Sequence, residues 1–177
     1  MSNGRPGDAA SVWLPDAARQ RVLGYASTAL GALDPADVPP ALRRFAAFTP
    51  AKRARLAGPA LATVIEQLPG FRQAAATVAR LAHPELGAAV EAGAVPPAAD
   101  PVEVAALAFL VRPDGWEELV SDAAARLADV SASAEAEERA AEAERLKAEA
   151  AEARRAARAE HDRLRAEVTA LARELGD

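Results

Sequence analysis

Residues 133–175 read SAEAEERAAEAERLKAEAAEARRAARAEHDRLRAEVTALAREL, almost entirely Ala, Glu and Arg with sparse Leu. The stretch holds no Gly and no Pro, and the breaker-free run begins further back, at Trp116. All 13 prolines and all but one of the 10 glycines lie before that residue. Ala, Glu and Arg are strong helix formers, so the run predicts one long helix. A helix this polar cannot bury a core by itself. It pairs with another helix, or it holds two things apart.

The register favours pairing. Leu164, Val168, Leu171 and Leu175 are spaced 4, 3 and 4, as a and d positions of a heptad are. Upstream the seam continues through Leu146, Ala150, Ala153, Ala157 and His161. The two consecutive fours at 153–157–161 form a stutter that locally unwinds a supercoil. Where the seam is Ala it lets helices approach closely but buries little area, at ~25 cal/mol per Å². Charges three or four residues apart support the single helix: Glu135–Arg139, Arg158–Asp162, Glu160–Arg163 and Arg163–Glu167. Each pair contributes about 0.2–0.5 kcal/mol. Two readings stand at this point, a solvated single helix and a two-stranded coiled coil. The helix would span about 65 Å at ~1.5 Å per residue. Its best heptads, Leu164 to Leu175, lie at the end of the sequence, so the natural chain is expected to continue past Asp177.

The residues before this helix carry the core. All seven aromatic residues lie before position 117. Apolar residues recur there at three and four, without the alternation of a strand. The expectation is an all-α fold: a flexible segment over 1–12, a compact multi-helix domain over 13–130 and a coiled-coil stalk over 131–177. A first helix runs from Pro15-Asp16 to near Leu33, with Val22, Tyr25, Ala26, Ala29, Leu30 and Leu33 on one face. Pro39-Pro40 opens a short helix, and Thr49-Pro50 is a cap-and-start pair. Gly58-Pro59 is expected to break the helix that follows, and Pro69-Gly70 the next. Residues 94–100 read as an extended connector. Asp100-Pro-Val-Glu103 then reads as a capping box that starts another helix.

Composition excludes several functions. There is no Cys, so disulfides and thiolate metal sites are ruled out. Residues 1–10 lack the apolar segment of a signal peptide. No stretch approaches the ~20 apolar residues that span a membrane, so no membrane is expected and the default location is the cytoplasm. No cofactor motif, phosphate loop or catalytic constellation is visible. His83, before Pro84, reads as a helix-end or surface residue. Asp100, Glu103, Asp114 and Glu117 read as capping acids.

The formal net charge of −5 is unevenly placed. Residues 1–82 hold ten Lys/Arg against five Asp/Glu, whereas 83–134 hold two against nine. Five cations fall within thirteen residues: Arg43, Arg44, Lys52, Arg53 and Arg55, with Phe45 and Phe48 between them. Such a cluster suits phosphate contacts of the salt-dependent kind, and interleaved aromatics suit base stacking. The competing reading makes both Phe core residues and the cations a solvated rim, or a surface that attracts the acidic 83–134 segment or a protein partner.

The run Val38-Pro-Pro-Ala-Leu-Arg-Arg-Phe-Ala-Ala-Phe-Thr-Pro-Ala-Lys-Arg-Ala-Arg-Leu-Ala-Gly58 resembles the N-terminal region of actinobacterial proteins with a YacP-like NYN domain. Phe71-Arg72, the run from Pro96 to Ala105 and Leu110-Val-Arg-Pro-Asp-Gly-Trp116 extend the likeness, which covers roughly residues 14–175. That family implies a helical region, a long coiled coil and a C-terminal PIN-like, metal-dependent nuclease domain with clustered Asp residues. Nothing in this chain corresponds to the nuclease domain, so no catalytic residue carries over. The resemblance implies a non-catalytic part of an RNA-binding or ribonuclease-like protein. The expected role is an interaction and dimerisation module, a homodimer through the coiled coil. RNA binding by the basic cluster is the alternative.

Overall fold

The computed structural model describes residues 14–174. Among them the chain is all-α, with no strand. The order is α1 (Asp16–Ala32), a 3-10 helix (Pro40–Phe45), α2 (Pro50–Gln67), α3 (Pro69–Ala82), α4 (Pro84–Glu91), α5 (Pro101–Val111) and α6 (Trp116–Glu174). The segment 1–12 and the seam residue Leu175 lie outside the described residues. The chain divides into two units, Met1–Ala128 and Asp129–Asp177.

In the first unit, α1 packs on α2, α3 and α5. Five of the expected α1 stripe residues, Val22, Tyr25, Ala26, Ala29 and Leu30, are buried. On α5 every residue from Glu103 to Leu110 is buried. A helix apolar on all sides has no solvent face to offer and takes the centre of a bundle. Asp100 caps it as expected, its side chain accepting from the Val102 N–H at 2.9 Å. The helix ends on Arg112, whose φ of 52° is left-handed, and its N–H donates to the Ala108 carbonyl at 2.9 Å.

Gly58-Pro59 does not break α2, which runs through both residues to Gln67. Pro59 removes one helical N–H and crowds the carbonyl of Arg55, a cost of about 3 kcal/mol. Gly58 lacks the Cβ that would meet the proline ring. Continuing the helix buries Leu61, Val64 and Ile65 on the same core as Ala57. Those three side chains contribute about 1.5–3 kcal/mol each, so burial outweighs the proline. Thr49 does occupy the cap position of α2, but its hydroxyl makes no capping bond.

The connector at 94–100 is held by Arg126 of α6, whose Nη2 donates to the carbonyls of Pro97 at 2.6 Å and Ala99 at 2.7 Å. Val120 and Ala123 of α6 are buried in the same core. In the second unit α6 continues without a break, and residues 129–173 are exposed throughout.

Candidate functional site

The five cations of the basic stretch do not form one surface. Arg53 is buried, at 7% exposure. Its Nε donates to the Phe48 carbonyl at 2.6 Å, and its Nη1 donates to the carbonyl of Ser27. The guanidinium lies against Gly31, where any Cβ would collide with it. Ser27 is fully buried, and its hydroxyl donates to the Pro50 carbonyl at 2.6 Å. These bonds clamp the C-terminal half of α1 to the start of α2. Arg53 is therefore an internal tie rather than part of a binding face, because it is buried and its Nε and Nη1 are spent on backbone carbonyls.

Arg43, Arg44, Lys52 and Arg55 remain exposed. Arg44 covers the ring of Phe45 at 4.6 Å from the centroid, and Lys52 covers Phe48 at 4.2 Å. The two rings meet edge to face, 6.3 Å apart. Phe45 is buried, Phe48 is half-buried, and each has a cation over its ring. The rings serve as core and as cation seats, and a base would have to displace Arg44 or Lys52 to stack on them. Arg55 points elsewhere, into a groove between α1 and α2 that Arg19, Leu23 and Pro59 also line. Arg43 lines a separate depression with Leu33, Val38 and Ala46. Lys52 and Arg55 are three residues apart on α2, yet their contacts diverge.

Among the described residues, none of these four cations is ion-paired, whether to the acidic 83–134 segment or elsewhere. The acids of that segment take other partners. Glu91 pairs with Arg80 at 2.6 Å. Glu103 faces inward instead of capping α5, and it organises a cluster that the sequence reading missed. Its carboxylate accepts from the Tyr25 hydroxyl at 2.6 Å and pairs with Arg21 at 3.0 Å. His83 Nε2 lies 3.5 Å from the same carboxylate, and its ring meets that of Tyr25 edge-on. His83 occupies the junction of α3 and α4, as expected of a helix-end residue. Burial pushes the Tyr25 hydroxyl well above the ordinary tyrosine range, and the hydrogen bond and negative charge of Glu103 add to that shift. The signal for this cluster was present: Glu103 is the one charged residue in the otherwise apolar run Val102–Val111. An acid there is buried and must be paired.

A second pair of cations lies near the end of α5. Arg112 sits over Trp116 at 4.7 Å and over Phe109 at 5.2 Å. Burial lowers the pKa of Arg72, and the charge of Arg112 lowers it further.

The seam residues Leu146, Ala150, Ala153, Ala157, His161, Leu164, Val168 and Leu171 are all exposed on α6. Of the four expected helical ion pairs, Glu135–Arg139 at 3.4 Å and Glu160–Arg163 at 3.8 Å form. Asp162 lies 3.5 Å from His161 rather than on Arg158. No group of three or more metal-capable side chains occurs among the described residues, and no helix there is long and apolar enough to cross a membrane. Comparison with known proteins finds no matching family model, no matching curated protein and no matching solved structure.

Proposed function

We propose that this chain is a non-catalytic interaction and dimerisation module whose second unit pairs with a second copy of itself. One observation carries this reading. Leu146, Leu164, Val168 and Leu171 are 54%, 51%, 66% and 52% exposed, on one register of an unbroken helix. Large apolar side chains repeated at heptad spacing with nothing against them are what a partner helix covers. The reading is non-catalytic because the clustered titratable groups, Arg21, Tyr25, His83 and Glu103, are spent on one another. The likeness to YacP-like NYN proteins extends it: the paired helices would hold apart the RNA-binding or ribonuclease-like domains of such a protein.

Sedimentation equilibrium of the full chain tests the pairing. Wild type is expected to be a dimer. The double substitution Leu164→Asp and Leu171→Asp is expected to weaken it at least about 30-fold, because each Asp would be desolvated against its own copy. A wild-type monomer at the highest attainable concentration would sink the reading.

A second reading, RNA binding by the first unit, is favoured by the four exposed cations that make no ion pair among the described residues. Replacing Arg43, Arg44, Lys52 and Arg55 with Ala together is expected to abolish retention of a single-stranded RNA at low salt. The affinity of wild type should fall with log salt at a slope no steeper than about 3, since four cations act on a single strand and Arg53 is not available. RNA affinity unchanged by the four substitutions would eliminate this reading.

A further inference from the structure

We propose that two copies of the second unit pair in parallel and in register, with orientation set by the charges flanking the seam. The proposal rests on the dimerisation reading above and adds the sense and register of pairing.

The seam fixes which residues flank it. With Leu146, Ala153, Leu164 and Leu171 at d, and Ala150, His161 and Val168 at a, the positions just before a are Glu142, Glu149, Glu160 and Glu167. Those just after d are Lys147, Arg154, Arg165 and Ala172, and Arg158 follows Ala157 in the stutter. One flank of the seam is thus acidic and the other basic. These flanks are the g and e positions, whose charges set orientation and partner choice.

In a parallel pair the g flank of one helix lies along the e flank of its partner, five residues further on. In register this places Glu142 against Lys147, Glu149 against Arg154 and Glu160 against Arg165, each pair occurring twice by symmetry. Glu167 meets the neutral Ala172. Reversing one helix lays g against g and e against e. Apart from those of the neutral Ala172, the flanking contacts then join Glu to Glu or Lys/Arg to Lys/Arg, whatever the register. The sequence therefore opposes antiparallel pairing at all offsets and supports the parallel one.

Most of these side chains are free for such contacts; Lys147 holds Glu144 at 2.7 Å, an exposed pair that contributes little and would exchange on pairing. Arg154, Arg158 and Arg165 make no ion pair among the described residues. Glu142 and Glu149 reach Arg145 only at 3.8 and 3.9 Å, and Glu160 reaches Arg163 at 3.8 Å. Exposed pairs this long contribute little and are readily exchanged. The Ala-lined part of the seam lets the backbones approach closely, which brings short Glu side chains within reach of the partner's long cations.

The test uses the full chain, which has no Cys of its own, with single cysteines introduced at two seam positions. Ala150→Cys and Val168→Cys are made separately and equilibrated in a glutathione redox buffer. The two sites lie about 27 Å apart along the helix at ~1.5 Å per residue. An antiparallel pair brings a residue against its own copy at one point only, so it cannot crosslink both variants. Parallel in-register pairing predicts that each variant forms a disulfide with itself and that a mixture forms no 150–168 disulfide. A 150–168 disulfide, or a sedimenting dimer in which neither variant crosslinks to itself, would overturn the proposed orientation and leave dimerisation standing. A monomer by sedimentation with no crosslink would overturn the reading beneath it.

The charges are tested by Glu142→Lys, Glu149→Lys and Glu160→Lys combined. Parallel pairing predicts roughly 30-fold weaker dimerisation at low salt, with the difference shrinking as salt rises. An antiparallel pair would keep its affinity within about threefold, because like charges would replace like charges.

Discussion

Replacing Arg53 with Ala is expected to destabilise the first unit by about 4 kcal/mol, more than any other substitution in the basic stretch. The side chain fills space between α1 and α2, and its donors satisfy the carbonyls of Ser27 and Phe48. Hydrogen bonds from a charged donor contribute about 1.5–3 kcal/mol each, and the variant leaves buried acceptors without partners. Arg53→Lys is expected to recover less than half of the loss, because an ammonium cannot reproduce the planar fork that reaches both carbonyls. Arg43→Ala, Arg44→Ala and Arg55→Ala should each stay within about 0.5 kcal/mol, as exposed substitutions do. Urea titration followed by the far-ultraviolet helix signal measures all five variants. A loss below about 1 kcal/mol for Arg53→Ala would show that the clamp carries little stability.

Glu103→Ala is expected to cost about 3 kcal/mol, at the lower end of the range for breaking a buried pair, because Arg21 is half exposed and water screens its part. Tyr25→Phe removes only the hydroxyl and should cost about 1 kcal/mol at neutral pH. The two variants differ in their pH dependence. The folded protein raises the pKa of Tyr25, so folding favours the neutral phenol. Stability from this group is fully present below the unfolded value near 10 and is lost as pH rises above it, by at most about 1.4 kcal/mol per pH unit. Wild type should therefore keep a constant advantage over Tyr25→Phe up to pH ~10 and lose it beyond. Denaturant midpoints at neutral and strongly alkaline pH check the sign. An advantage that grows in alkali would contradict the buried, carboxylate-bound phenol.

Local signals predicted the helices well where Pro and Asp mark their starts. Pro15, Pro40, Pro50, Pro69 and Pro101 each lie at or next to the first residue of a helix; α4, which starts at Pro84, was not expected, because His83-Pro84 read only as a helix end. Gly58-Pro59 was misread because a local rule gives way when both sides of a proline bury into one core. Glu103 was misread for a related reason: the capping position and the inward-facing position are the same residue, and only tertiary packing decides which way the carboxylate turns. The basic stretch was legible as composition but not as geometry. Nothing local distinguishes Arg53 from Arg55; what buries Arg53 is Gly31, twenty-two residues away, which leaves room for its guanidinium. The long unbroken α6 could be read directly from the sequence, because an exposed helix has no tertiary context to override its local propensity.

The core of the first unit is unusually rich in alanine: Ala18, Ala26, Ala29, Ala75, Ala76, Ala79, Ala105, Ala106 and Ala108 are all buried within it. Alanine gives up no rotamer freedom on burial, so these helices order at low entropic cost. It also removes little apolar surface from water, and the heat capacity of unfolding scales with that surface. Residues 129–173, exposed along their whole length, add almost none within a single chain. The heat-capacity increment per residue therefore falls below the usual ~12–15 cal/mol/K, and the curve of stability against temperature is correspondingly flat. Calorimetry of such a chain is expected to show weak destabilisation by cold and a broad melting transition.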